Sequence, residues 1–376
     1  MIEKNTRYYT KKILLFVITF ITTTLAGSEW ITNRILFYSP DYSWADFFAG
    51  MHYSIPFLFI LTVHEFGHFF TAKYHKVEVT LPNYIPGWLG FLGTVSFGTF
   101  GALIQIVGPI KSRKQFFDIG IAGPIAGFVV ALGVLFYGFT NLPEPEYIFE
   151  IHPEYEQYGL EYADHVYDNG EEMMGISLGN NLLFSWFENN VADPERLPNH
   201  REIIHYPYLF AGFLALFFTA LNLIPIGQLD GGHVIYGLFG AKNHNIIAFT
   251  LYMIFTFVAG LGLITAGIDL GDFALYSVLY VGFLYFSFKG LGFQQSTTLM
   301  LAVGMFVAQY LTTYLFPSVT GFSGYLLFVF LLGRLIGVKH PVAPDDRPLS
   351  TGRKVLGWIC LIIFIICFSF EPLVLE

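Results

Sequence analysis

Residues 57–72, FLFILTVHEFGHFFTA, form an apolar run that contains three ionisable side chains. The run lies within a longer apolar segment, 48–72, and a membrane-spanning helix needs about 20 mostly apolar residues. The ionisable residues are His64, Glu65 and His68. Because such groups are costly inside a membrane span, they indicate a functional site there. The run therefore predicts a transmembrane helix that carries polar chemistry.

These three side chains have the spacing H-E-x-x-H. On a helix, residues i and i+4 lie on one face, so the imidazoles of His64 and His68 can bind a single metal ion. Glu65 is the next residue along the helix, which places its carboxylate near enough to act as a general base. Two histidine ligands and a glutamate base are the arrangement of zinc metalloproteases. The alternative is a pair of buried histidines that hydrogen-bond to neighbouring carbonyl groups.

The composition places the chain in a membrane. Of 376 residues, 54% are apolar and 12% charged, and the mean hydropathy is +0.57, whereas a soluble domain carries about 25% charged residues. High hydrophobicity excludes a disordered chain. The net charge of −9 argues against a nucleic-acid binder, and two cysteines are too few for a disulfide scaffold.

We predict an all-α polytopic membrane protein with about eight or nine transmembrane helices. Its candidate spans are mostly apolar runs that lie near 12–27, 48–72, 117–141, 206–227, 245–266, 272–290, 296–316, 322–338 and 355–370.

The distribution of charge predicts the orientation of these spans. If the N-terminus is cytoplasmic, 16 of the 19 lysines and arginines fall in cytoplasmic segments, as the positive-inside rule requires. The acidic residues concentrate elsewhere, because the segment 142–205 holds 14 Asp and Glu against 2 Arg. This segment is predicted to be exterior. It is either a solvated loop or a surface that binds a partner.

A zinc site needs a third protein ligand, and one apolar span ends in a candidate. Residues 221–233 read LNLIPIGQLDGGH, and Asp230 lies at the cytoplasmic end of its span in the predicted topology. His64 and His68 also lie near the cytoplasmic end of theirs. The matching depth favours Asp230 as the third ligand. His233 is an alternative ligand, although an interfacial histidine in a glycine-rich turn is the favoured interpretation.

Taken in order along 48–236, the motifs 64-HEFGH-68 and 222-NLIPIGQLDGG-232 resemble those of the site-2 protease family of intramembrane metalloproteases. Between them, 120-GIAGPIAG-127 is similar to the small-residue motif of the family's central helix. The stretch 93-GTVSFGTFGALIQIVGP-109 is similar to its membrane re-entrant β-hairpin. Without the resemblance, this stretch also reads as a kinked apolar segment.

The resemblance implies one Zn²⁺ per chain, held by His64, His68 and Asp230, with Glu65 as the base. It also implies that Asn222 binds the substrate backbone or an oxyanion. A hairpin with a free edge can pair with an extended substrate, so Gly98 and Gly101 are predicted to contact it. Because the acidic insert is too short for a PDZ domain, the branch without that domain is expected.

Three segments are predicted along the chain: an N-terminal span with an exterior loop at 1–47, a protease core at 48–236 with its hairpin within 80–115, and a C-terminal transmembrane bundle at 237–376. The predicted activity is cleavage of membrane-anchored proteins within or near their transmembrane segments. An ion- or proton-coupled transporter and an inactive relative that binds membrane segments are the alternatives. Charge bias and the absence of a targeting sequence favour a bacterial inner membrane.

Overall fold

The computed structural model describes residues 6–167, 175–265 and 267–375, and in these ranges the chain is mostly helical. The α-helices are α1 (Thr6–Thr32), α2 (Trp44–Ala49), α3 (Met51–Tyr74), α4 (Arg113–Thr140), α5 (Ile148–Ile151), α6 (Tyr162–Val166), α7 (Leu182–Asn190), α8 (Pro207–Leu223), α9 (Asp230–Ala259), α10 (Leu270–Phe288), α11 (Gln295–Leu315), α12 (Tyr325–Leu331) and α13 (Thr351–Cys367). Four short strands, β1 (Asn83–Gly87), β2 (Gly98–Leu103), β3 (Ile176–Leu178) and β4 (Leu373–Leu375), complete the set.

Each of the nine predicted spans contains a helix, and the chain is an integral membrane protein. Within the described residues, five helical segments are long and apolar enough to cross a membrane: Thr6–Thr32, Trp44–Tyr74, Arg113–Thr140, Leu270–Leu291 and Gln295–Leu315. The shorter apolar helices are Pro207–Leu223 and Tyr325–Ile336. Residue 266, the last of the predicted span at 245–266, lies outside the described residues. The number of spans stays a prediction.

The chain divides into two compact units. The first comprises Met1–Pro109, Ala122–Leu221 and Ile363–Glu376, and the second comprises Ile110–Ile121 and Asn222–Ile362. The three-segment division of the sequence stays a prediction.

Small residues bring the helices of the first unit into close contact. A Cβ on Gly50 would lie 2.1 Å from the carbonyl oxygen of Thr24, so the start of α3 packs directly on the backbone of α1. A Cβ on Gly67 would lie 2.5 Å from the carbonyl oxygen of Ala122, so α3 and α4 are equally close near the histidines. Backbones approach this closely only where the interface carries small side chains. Glycines therefore fix the position of α3.

Strands β1 and β2 form an antiparallel hairpin with an irregular register between Tyr84 and Pro86. The stretch at 93–109, which predicts a hairpin, supplies only its second strand. The first strand precedes that stretch and holds Pro86, a residue that is depleted in strands because it has no N–H to donate. The hairpin lies within the predicted range of 80–115, and its insertion into the membrane stays a prediction.

The acidic insert at 142–205 is folded over its described part, from 142 to 167 and from 175 to 205. It contains α5, α6, α7, strand β3 and three 3₁₀ segments, Pro145–Tyr147, Pro153–Glu161 and His200–His205. Strand β3 pairs with the C-terminal strand β4 in a second small sheet, which the all-α prediction did not include. Residues 168–174 of the insert lie outside the described residues.

The second unit holds α9 to α12 and the first part of α13. Helix α9 is kinked at Gly240, where φ is +77°. Arg113 fills the space at the kink and donates from Nε to the carbonyl oxygen of Gly237 at 3.0 Å. Arg353 forms a bidentate ion pair with Asp118, at 2.7 and 3.0 Å. Two arginines thus tie residues 113–118 to elements that are distant in the sequence.

Candidate metal centre

Helix α3 carries His64, Glu65 and His68, and all three side chains are buried, with exposed fractions of 5–7%. The run 57–72 lies within the single helix Met51–Tyr74, as its sequence predicts. A hydrogen bond of 2.8 Å joins the hydroxyl groups of Thr62, on this helix, and Tyr84, on β1. Helix α3 therefore contacts the hairpin through Thr62.

The two imidazoles lie on one face of α3. Their Nε2 atoms are 3.1 Å apart, and the ring centroids are 4.8 Å apart in an edge-on arrangement. Ligands at about 2.0–2.1 Å from a tetrahedral zinc ion are about 3.4 Å from one another. The two nitrogens are thus close to the separation that one ion requires. The i, i+4 spacing of the sequence accounts for this geometry directly.

Two glycines of α4 make room for these rings. A Cβ on Gly123 would lie 2.1 Å from Nε2 of His68, and a Cβ on Gly127 would lie 3.0 Å from Cβ of His64. Both glycines belong to the stretch 120-GIAGPIAG-127. The small residues at these positions therefore have a local physical reason, because any side chain at 123 would occupy the space beside Nε2 of His68.

Asp230 is the first residue of α9 and belongs to the second unit. The two glycines after it are required by the preceding turn. A Cβ on Gly231 would lie 2.0 Å from the carbonyl oxygen of Leu223, and a Cβ on Gly232 would lie 2.2 Å from that of Gly227. The LDGG sequence thus encodes a turn folded closely over the start of a helix, where a carboxylate is favoured by the helix dipole.

The three residues that are predicted to bind substrate differ in how much open space surrounds them. Asn222 is the penultimate residue of α8 and is half-buried. Gly98 is packed on α1, because its added Cβ would lie 2.4 Å from Cα of Thr23 and its carbonyl accepts a hydrogen bond from Thr22 Oγ1 at 2.7 Å. Gly101 has open space at its Cβ position and a φ of +100°. A role in substrate binding stays a prediction for all three.

His233 lies in the first turn of α9 and pairs with a histidine that sequence reasoning did not single out. Its Nδ1 is 2.7 Å from Nε2 of His340. The Nδ1 of His340 is 2.6 Å from the carbonyl oxygen of Pro341. Burial, with the neighbouring His233, lowers the pKa of His340 to about 3. His340 lies about a hundred positions further along the chain, so no local spacing signals this pair.

A model of peptidase family M50 matches residues 52–266 of this chain. Among curated proteins, the chain is 28% identical over 183 residues to "Probable zinc metalloprotease EGY1, chloroplastic" of Oryza sativa subsp. japonica, covering 49% of this chain and 27% of that protein. It is 28% identical over 195 residues to the protein of the same name in Arabidopsis thaliana, covering 52% and 30%. "Probable zinc metalloprotease EGY2, chloroplastic" of Oryza sativa subsp. indica is 24% identical over 235 residues, covering 62% and 36%.

The chain thus spans 27–36% of the length of these relatives. No solved structure matches it significantly. The match to the family model includes α3, the hairpin, α4, the acidic insert, α8 and the LDGG turn. Because residues 52–266 are more than half of the 376-residue chain, this protein belongs to peptidase family M50, the site-2 protease family.

Proposed function

We propose that this protein is an intramembrane zinc metalloprotease that hydrolyses peptide bonds within or near the transmembrane segments of membrane-anchored proteins. The observation that carries the proposal is the pair of buried Nε2 atoms, 3.1 Å apart, on an apolar helix whose next side chain is a buried glutamate. Ionisable groups at such a place indicate function. The names of the relatives, which describe zinc metalloproteases, support the same chemistry.

In this proposal His64, His68 and Asp230 hold one zinc ion. Two imidazoles and one carboxylate are a donor set that zinc accepts, with a fourth position left open. When bound, zinc polarises the scissile carbonyl and lowers the pKa of water. Asp230 is suited to the third place because it is a carboxylate fixed at a helix start by a close turn.

Glu65 is proposed as the general base. Its carboxylate takes a proton from the attacking water, holds it, and gives it to the leaving amine.

Substrate recognition is proposed to use the hairpin. A two-stranded sheet leaves one edge of each strand unpaired by a third strand, and an extended peptide can add to such an edge. Unwinding is needed because helical hydrogen bonds and side chains shield a transmembrane peptide bond from water. Gly101, with open space beside it, leaves room for a substrate backbone to approach. Asn222 offers both a donor and an acceptor to that backbone.

We propose that the N-terminus lies on the side of the membrane that carries the basic segments, which in a bacterial inner membrane is the cytoplasm. The acidic insert then lies on the opposite side. The printed names of the relatives place those proteins in chloroplasts, so a bacterial inner membrane stays a prediction for this chain.

The test is Glu65→Gln in the full chain, purified in detergent, with fluorescein-labelled casein as an unfolded probe. We expect hydrolysis to fall by about 10²–10⁴-fold, since general-base catalysis contributes that much. Zinc content should be unchanged. Glu78→Gln is the matched control, because Glu78 is exposed in the same unit. Hydrolysis by Glu65→Gln at the rate of the unmodified protein would show that Glu65 is not the base.

Metal content separates the protease from a transporter. A zinc ion that is lost in His68→Ala together with hydrolysis supports the protease. A chain that binds no zinc at this helix and does not hydrolyse casein would instead support the ion-coupled transporter, in which intramembrane His, Glu and Asp carry ions.

A further inference from the structure

The acidic insert contains a second group of metal-ligand side chains in the first unit. His152 follows α5, and Glu202 and His205 lie in the 3₁₀ segment His200–His205. Their potential ligand atoms all lie within 4.8 Å of one another. Glu202 and His205 are buried, and His152 is largely so, with 14% of its side chain exposed. The three residues line a cavity of about 280 Å³.

The distances fit one tetrahedral ion. The two Nε2 atoms, of His152 and His205, are 3.4 Å apart. Glu202 Oε2 is 3.4 Å from Nε2 of His205 and 3.9 Å from Nε2 of His152. Ligands around tetrahedral zinc are about 3.4 Å apart. Two of the three separations match this value, and the third needs a shift of about half an ångström at one ligand.

Hydrogen bonds fix which nitrogen of each ring is available. The Nδ1 of His205 donates to the carbonyl oxygen of Trp30 at 2.7 Å, and a carbonyl can only accept. The Nδ1 of His152 donates in the same way to Oε1 of Glu154 at 3.0 Å. In the neutral form of each ring, the lone pair then lies on Nε2 and faces the other ring. This is the pattern around metal ligands, where the second ring nitrogen is held by a carbonyl or carboxylate.

Two facing lone pairs repel unless a cation lies between them. Glu202 contributes the negative charge, and its other oxygen, Oε1, accepts a hydrogen bond from the hydroxyl group of Tyr167. The carboxylate is thus oriented with Oε2 toward the imidazoles. The geometry is that of a site prepared for a positive ion.

We propose that His152, Glu202 and His205 bind one divalent ion of the zinc class, separate from the ion at α3. Two imidazoles and a carboxylate suit zinc and other late first-row metals. Three protein ligands leave a fourth position, which the cavity can fill with water or with a donor from a partner.

The ion would connect two parts of the insert that are about fifty positions apart in the sequence. Closing a loop of this length with a metal clip stabilises the folded arrangement by reducing the freedom of the unfolded one. The excess of 14 acidic over 2 basic residues in the segment 142–205 attracts cations to this region. The site therefore makes the fold of the insert dependent on metal.

The proposal is tested by measuring how much zinc the full chain binds in detergent. The protein is first stripped of metal and then reloaded with Zn²⁺ alone. We expect two zinc ions per chain in the unmodified protein and one in a His64→Ala/His68→Ala variant. A His152→Gln/His205→Gln variant should also bind one. His200→Gln is the matched control, because His200 lies in the same 3₁₀ segment but outside the cluster, and it should bind two.

Trypsin cleavage of the insert is a second measurement, and Arg196 and Arg201 are its targets. Zinc should slow this cleavage in the His64→Ala/His68→Ala variant. Glu202→Gln, which keeps an acceptor for Tyr167, should remove the protection without unfolding the chain. The proposal is overturned if the variant altered at 64 and 68 binds no zinc, or if the His152→Gln/His205→Gln variant still binds two. If the proposed protease site at α3 does not bind zinc, only that ion is lost and the ion in the insert remains. Failure of the proposed function is therefore distinguishable from failure of the insert site.

Discussion

Two groups of side chains, the α3 site (His64 and His68) and the insert cluster (His152, Glu202 and His205), use imidazole nitrogens in different ways. Both place two imidazole Nε2 atoms close together, at 3.1 Å on α3 and at 3.4 Å between His152 and His205. On α3 the two histidines are four positions apart, so helix geometry alone brings them together. In the insert, the partners come from segments fifty positions apart. A pair of facing imidazoles is therefore visible in a sequence when one helix carries both residues, and hidden when the fold assembles the pair.

The two sites also differ in what surrounds them. The α3 site lies in an apolar helix against glycines of α4, whereas the insert cluster lies in a segment rich in carboxylates. The first depends on close packing of helices, and the second depends on hydrogen bonds that orient its side chains. Each can therefore be altered without touching the ligands of the other.

We expect the largest difference between the α3 site and the insert cluster in the variant Gly123→Ala. The new Cβ would lie 2.1 Å from Nε2 of His68, so the ring must move out of its position. We expect casein hydrolysis to fall about 100-fold, because small displacements of a catalytic constellation cost this much. Zinc at the α3 site should be lost, and zinc at the insert should remain.

Gly133→Ala is the control for this prediction. Gly133 lies on the same helix, and nothing lies within 4 Å of its added Cβ. It should leave hydrolysis and zinc content unchanged. If Gly123→Ala and Gly133→Ala behave alike, then α4 does not position the imidazoles as the structure indicates.

The insert cluster should instead respond to Glu154→Ala, which removes the acceptor of His152 Nδ1. Loss of such a partner lowers metal affinity by about 10–100-fold. Zinc titration of the His64→Ala/His68→Ala variant measures this affinity directly. Glu156→Ala is the control, since Glu156 is also exposed and lies two positions further along. Equal affinities in the two variants would contradict the orientation of His152.

The smallest effect is expected at the contact between α3 and the hairpin. Tyr84→Phe removes the hydrogen bond to Thr62, and we expect the free energy of unfolding to fall by about 1 kcal/mol. A double-mutant cycle with Thr62→Ala, followed by thermal unfolding in detergent, measures the coupling of the two side chains. The losses in the free energy of unfolding of the two single variants should add up to more than the loss in the double variant. Simple additivity would show that this bond does not stabilise the packing of α3 on the hairpin.

The sequence alone determined much of this protein, because its information was local. Spacing on one helix paired His64 with His68, apolar runs located the helices, and the stretch 120–127 matched the small-residue motif of the family's central helix. The hairpin was placed incompletely, since Pro86 conceals the first strand and its pairing with β2 depends on residues more than ten positions away. The contact between His340 and His233 could not be predicted for the same reason, because 107 positions separate the two residues.

The insert shows what only the tertiary structure decided. By sequence it was an acidic segment, either a solvated loop or a partner surface. Folding brings His152 beside His205 and aims Glu202 at both, while the carbonyl oxygen of Trp30 fixes one ring. None of these contacts follows from a short repeat or a period. The physical reason is that periodicity records which face of one element is buried, whereas a site built between distant segments depends on how the whole chain closes.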